Sequence, residues 1–172
     1  IALQRLDRVL YYDSLQKNAL LFRAILTMGE NKKQSVKDLS KLIKVSPNNL
    51  MAYLFRGLLS TDLGEYERAF SDFRKVINAI SDNGDRYAGQ RTWLDKRADL
   101  QNVGHYTISR IYGLPENDAA KIRQAYCYMM IGTYNLSIEI LNTTSESNVE
   151  PSCIYLKAVS YEHKGEHERA YE

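Results

Sequence analysis

Scarcity speaks first in this chain. Of 172 residues only three are proline, Pro47, Pro115 and Pro151. A chain so short of helix breakers is free to run in helices, and prolines at three spaced points read as boundaries between units. Two cysteines, Cys127 and Cys153, make no disulfide framework and read as buried free thiols that pack as small hydrophobes, with a bridge between neighbouring helices in an oxidising compartment as the alternative. No apolar run approaches the roughly 18 residues of a bilayer-spanning helix. Lysine plus arginine number 23 against 21 for aspartate plus glutamate, net +2, so the chain as a whole has no large field for a nucleic-acid backbone. Also missing are a Gly-x-Ser-x-Gly elbow, a phosphate-cradling glycine loop and a His-Glu-x-x-His pair. His163 and His167 have metal-like spacing, but Gly165 between them is placed to end a helix. The expectation is a protein that is not an enzyme and has no metal site and no cofactor.

What is present is repetition. Leu21-Phe22-Arg23-Ala24-Ile25-Leu26-Thr27 recurs 33 positions later as Leu54-Phe55-Arg56-Gly57-Leu58-Leu59-Ser60. Gly57 and Ala125, like Gly64 and Gly132, lie 68 apart, and Gly132 and Gly165 lie 33 apart. A period near 34 marks stacked supersecondary units. Similar short phrases follow Gly29, Gly64, Gly132 and Gly165, so each glycine reads as the turn of a helical hairpin.

The segments flanking each turn differ. Before it, apolar residues cover most of the circumference, as in Leu50, Met51, Ala52, Tyr53, Leu54, Phe55, Leu58 and Leu59. After it they form one stripe, as in Ala69, Phe70, Phe73, Val76, Ile77 and Ile80, with Glu67, Arg68, Asp72, Arg74 and Lys75 between. The first helix of each pair is therefore flanked on several sides, and the second is a solvated shell. On this reading Glu65, Glu67 and Asp72 serve only solubility. Predicted helices run over 2–13, 17–28, 33–45, 50–62, 66–80, 85–98, 100–112, 118–131, 134–143, 152–164 and from 167 onward, with Asn49 and Asp118 as N-caps and Gly113 as a stop. In residues 84–117 five cations, Arg86, Arg91, Lys96, Arg97 and Arg110, are nearly balanced by Asp82, Asp85, Asp95 and Asp99. That stretch reads as a diverged repeat, with Trp93 in packing and no nucleic-acid surface.

Tyr53, Gly57, Gly64, Tyr66, Ala69, Phe73 and Val76, with Pro47 just before them, resemble the tetratricopeptide repeat pattern. Ala125, Tyr128, Gly132, Tyr134 and Leu141 carry it again, as do Ile154, Ala158, Tyr161, Gly165 and Ala170. Arg56, Gln124 and Lys157 stand where the family usually has leucine, which implies a more solvated helix edge. The resemblance implies an all-α fold, a right-handed α-α superhelix (solenoid) of helical hairpins. The expected division is 1–15 as an outer helix, then repeats at 16–49 and 50–83, a degenerate repeat at 84–117, a repeat at 118–150 and a partial repeat at 151–172, together a segment of a longer array.

In that family the inner helices line a concave groove. Carried over unit by unit, the groove positions are Met51, Leu54, Leu58, Asp62, Ile122, Tyr126, Met129, Met130, Tyr155, Val159 and Glu162. The set is strongly apolar and, with Ile122 and Tyr126 in place of lysine and asparagine, disfavours capture of a C-terminal carboxylate. It implies a protein–protein interaction scaffold that binds an apolar peptide or helix, with Tyr126, Met129 and Tyr155 as anchors. Two other readings stand beside it: a structural or self-associating spacer whose groove is filled internally, and a regulatory domain of an enzyme outside this chain. The partner is a protein or peptide, with no nucleic acid and no membrane-spanning segment; the residues name no compartment.

Overall fold

The recurring heptapeptide lies on two helices of one kind. In the computed structural model, which describes residues 1–82, 114–144 and 151–171, Leu21–Thr27 closes α2 (Lys17–Thr27) and Leu54–Ser60 fills the middle of α4 (Leu50–Asp62). Before α2 comes α1 (Ala2–Tyr12), between the pair lies α3 (Lys32–Val45), and α5 (Tyr66–Asp82) follows. Further along are α6 (Glu116–Met130), α7 (Tyr134–Asn142), α8 (Pro151–Lys164) and α9 (His167–Tyr171). The described residues are all-helical, without strand. Every one of these helices matches its predicted span within two residues at each end. The predicted helices 85–98 and 100–112, the residues singled out there and Gly113 lie outside the described residues.

The chain divides into two compact units, Ile1–Val76 and Ile77–Glu172. In the first, consecutive helices from α1 to α4 pack side by side. Their core joins Leu10, Ala19, Leu20, Ala24, Leu39, Leu42, Ala52 and Leu59, with Phe55 packed against it. Local chemistry starts α3 and α4 where they begin. Asn31 Oδ1 accepts from the Gln34 amide at 3.1 Å and Asn49 Oδ1 accepts from the Ala52 amide at 3.1 Å, each satisfying a donor that the first turn leaves open. Asp118 is no cap: α6 begins two residues earlier behind Pro115, and Asp118 is buried in its first turn.

In the second unit α6 packs against both α7 and α8, α7 against α8, and α8 against α9. Its buried set includes Ala119, Ile122, Ala125, Tyr126, Cys127, Met129, Met130, Leu141, Cys153 and Leu156. Cys127 and Cys153 are buried thiols. His163 lies in the last turn of α8 and His167 opens α9, on two helices; the His163 ring stacks on Tyr134 at 5.1 Å.

Three turns share one geometry. Gly64, Gly132 and Gly165 have φ of 76°, 84° and 78°. At each, the glycine amide donates to the carbonyl three residues back and the next amide to the carbonyl five back, Glu65 to Ser60 at 2.8 Å, Thr133 to Tyr128 at 2.9 Å and Glu166 to Tyr161 at 3.0 Å. This is the left-handed helix stop that glycine adopts without steric cost. Gly29 departs from the expectation. Its φ is not positive, and the α2 turn closes through Asn31 N–H to the Thr27 carbonyl at 2.7 Å. By the heptapeptide phase it is Asn31, not Gly29, that matches Gly64, 33 residues on.

Candidate interaction surface

The repeat pattern assigns a binding face to three of the helices that precede a turn, α4, α6 and α8. On α4, Met51, Leu54, Leu58 and Asp62 follow one another by three or four residues and share a face. Leu54 is buried, Met51 and Leu58 are half-buried, and exposed Asp62 pairs with Lys32 Nζ on α3 at 2.7 Å. On α8, Tyr155, Val159 and Glu162 share a face; Tyr155 is 36% exposed, Val159 is half-buried, and exposed Glu162 lies 2.9 Å from His167 Nδ1.

On α6 the same positions are closed. Ile122, Tyr126, Met129 and Met130 are each 0% exposed, since α6 is covered by both α7 and α8. They are core of the second unit and offer no area to a partner in this structure. Burial also holds the Tyr126 phenol well above its ordinary value. The anchor pair Tyr126 and Met129 therefore supports the fold, and truncating both removes core volume at a cost of about 3–5 kcal/mol or more.

Other surface was missed by the groove assignment. Phe22 and Leu26 on α2 are 56% and 48% exposed. They stand in phase with Phe55 and Leu59, which pack on the preceding helices. The signal was present in the repeated heptapeptide itself.

A second arrangement corrects the solvated-edge expectation. Arg56 on α4 donates from Nε and Nη2 to the two carboxylate oxygens of Asp72 on α5, at 2.8 and 2.7 Å, and from Nη1 to Ser40 Oγ on α3 at 3.1 Å. Arg23 on α2 does the same to Asp38 on α3, at 2.7 and 2.7 Å, and reaches Asp7 on α1 at 2.8 Å. Asp38 and Asp72 are 0% and 2% exposed, so Asp72 is a buried ion-pair partner and no solubility residue. Both guanidinium groups are held above their ordinary value, chiefly by the hydrogen bonds to their carboxylates. Burial pushes the Asp72 carboxyl up, against the pull of Arg56. The two directions at the Arg56–Asp72 pair oppose one another; the desolvation of Asp72 is the one its near-complete burial supports. The arrangement ties three helices together and leaves no acid or base free for catalysis.

The tetratricopeptide repeat family model matches residues 52–83, which take in most of α4, the Gly64 turn and α5. The chain carries a tetratricopeptide repeat there. Over 59 residues it is 37% identical to the UDP-N-acetylglucosamine--peptide N-acetylglucosaminyltransferase of Giardia intestinalis (strain ATCC 50803 / WB clone C6). That stretch is 34% of this chain and spans 4% of that relative's length. Tetratricopeptide repeats generally mediate protein–protein interaction and are a scaffold fold rather than a catalytic one. No described helix of the chain is long and apolar enough to cross a membrane.

Proposed function

We propose that this chain is a non-enzymatic interaction scaffold that takes an apolar helix or peptide of a partner protein on the first helices of its hairpins. One observation carries the reading: these helices leave large apolar side chains open, Phe22 and Leu26 on α2 and Ile154 and Tyr155 on α8. Large half-exposed apolar groups grouped on one element mark contact surfaces. The counterparts Phe55 and Leu59 bury themselves against helices, which favours a helical occupant over an extended one. Nucleic acid is not the partner on this reading.

Peptide display against the whole chain, followed by fluorescence anisotropy on the selected peptides, tests this. Apolar amphipathic peptides are expected, with Phe22→Ala weakening those held by the first unit and Tyr155→Ala those held by the second, each by about tenfold, as a central aromatic contact would. Selected peptides that bind both variants as tightly as the parent would remove the proposal. Light scattering over a concentration series addresses the self-associating form of the spacer reading, which expects association that grows with concentration.

A further inference from the structure

We propose that α3 is a second docking site, a basic ridge that receives an acidic segment of a partner protein. α3 carries five lysines and one carboxylate. That carboxylate, Asp38, is buried and taken by Arg23 and Gln34, and Lys32 is paired with Asp62 at 2.7 Å. The other four, Lys33, Lys37, Lys41 and Lys44, are spaced by four, four and three residues, which puts them within an arc of about 80° along about 16 Å of helix. Lys33, Lys37 and Lys44 are exposed and Lys41 is half-buried. Among the described residues none of the four forms an ion pair or side-chain hydrogen bond.

The ridge concentrates charge that the whole chain lacks. Residues 1–45 hold nine lysines and arginines against four carboxylates, whereas the chain as a whole is only +2. Other second helices are not built this way: on α5 Arg68 pairs with Glu65 beside Glu67, and α7 has Glu139 as its one charged residue. Like charges at four-residue spacing repel and weaken a helix by a few tenths of a kcal/mol per pair. An acidic surface would turn each of those costs into attraction. One helical turn is about 5.4 Å, so a facing helix with carboxylates four residues apart matches the ridge charge for charge. No aromatic side chain is interleaved with the lysines, so the ridge has no platform for stacking bases. The apolar side chains that carry the proposed scaffold function lie on other helices, so either proposal can fail alone.

The probe is a fluorescein-labelled helical peptide with Glu at matching four, four and three spacing in an Ala/Gln background, titrated with the whole chain. Expected are saturable binding that weakens roughly fivefold between about 50 and about 200 mM salt, and at least about tenfold loss in a Lys33→Glu, Lys37→Glu, Lys44→Glu variant. The Lys version of the peptide should bind that variant and not the parent. All three substitutions are at exposed positions, and circular dichroism confirms that the variant stays folded. A Phe22→Ala chain should bind the Glu peptide like the parent. Equal binding by parent and triple variant overturns the proposal. So does tighter, variant-sensitive binding of a DNA duplex, or of phosphatidylcholine vesicles with about one-fifth phosphatidylserine, since either would assign the ridge to another class of ligand.

Discussion

Arg56 grips Asp72 with two parallel hydrogen bonds of 2.8 and 2.7 Å, across the space between α4 and α5. The grip is written into the repeat. Asp7, Arg23 and Asp38 form one three-helix clasp, and Ser40, Arg56 and Asp72 form the next, displaced by 33, 33 and 34 residues. The α6–α7 hairpin has Gln124 and Ile140 at the phase of Arg56 and Asp72, so it replaces the charged pair with an uncharged one.

Arg56→Leu should destabilise the chain by about 2–3 kcal/mol, because it leaves the Asp72 carboxylate buried without its counter-charge. Arg56→Leu with Asp72→Leu should come back to within about 1 kcal/mol of the parent, since apolar groups of similar volume commonly replace a buried pair at little cost. Urea unfolding of the parent, both single variants and the double variant closes the cycle. A double variant as unstable as the sum of the singles would mean that the pair is not coupled.

Asp72 should titrate above the ordinary aspartate range, because its desolvation outweighs the pull of Arg56. Between the unfolded value and that raised value the folded chain holds more protons at this carboxyl than the unfolded chain does. Its contribution to stability therefore falls as pH rises through that window. Carboxyl carbon NMR of the labelled protein reads the midpoint directly. Removing Arg56 takes away the lowering influence, so the midpoint must move further up in Arg56→Leu. A downward move would contradict the assignment.

Gly57 and Phe73 set how closely α4 and α5 approach. A Cβ built on Gly57 would stand 2.8 Å from Phe73 Cε1, and the Phe73 ring is fully buried. The in-phase pairs elsewhere are Ala24 with Leu39 and Ala125 with Leu141, all buried. A glycine thus accompanies the larger partner and an alanine the smaller. Gly57→Ala should cost about 1 kcal/mol, an overpacking penalty of about 1–3 kcal/mol reduced by the better helix propensity of alanine. Adding Phe73→Leu to Gly57→Ala should cost less than Phe73→Leu alone, because the methyl group fills space that the smaller side chain frees. Thermal melts of the three variants test that order.

The helices and their hairpin turns were legible because their signals are local and periodic. Leu54–Ser60 repeats Leu21–Thr27, and Gly64, Gly132 and Gly165 sit where a left-handed stop is needed. Burial was less legible. Asp38 and Asp72 fall among the polar residues of α3 and α5, and the pattern of one helix cannot show that each meets an arginine fifteen or sixteen residues upstream. The recurrence of Arg23 and Arg56 together with Asp38 and Asp72 was the available sign. The burial of Tyr126 and Met129 is hidden for a related reason: a helix apolar nearly all round does not declare which side its neighbours cover, and α6 is covered by two.

Two glycines that look alike in the sequence should respond differently to the same change. Gly64 has a φ of 76°, a conformation in which a Cβ crowds the carbonyl that follows, so Gly64→Ala should cost about 1–2 kcal/mol although nothing lies within 4 Å of the added methyl. Gly29 also has open space around it, but its φ is not positive and its turn closes through Asn31. Gly29→Ala should therefore be neutral, or stabilising by up to about 1 kcal/mol through the lower entropy of the unfolded chain. The burden of that turn falls on Asn31, whose side chain caps α3; Asn31→Ala should cost about 1 kcal/mol. Urea midpoints for the three variants decide it. If Gly29→Ala were as damaging as Gly64→Ala, the two turns would share one geometry, and the assignment of Asn31 as the in-phase partner of Gly64 would be wrong.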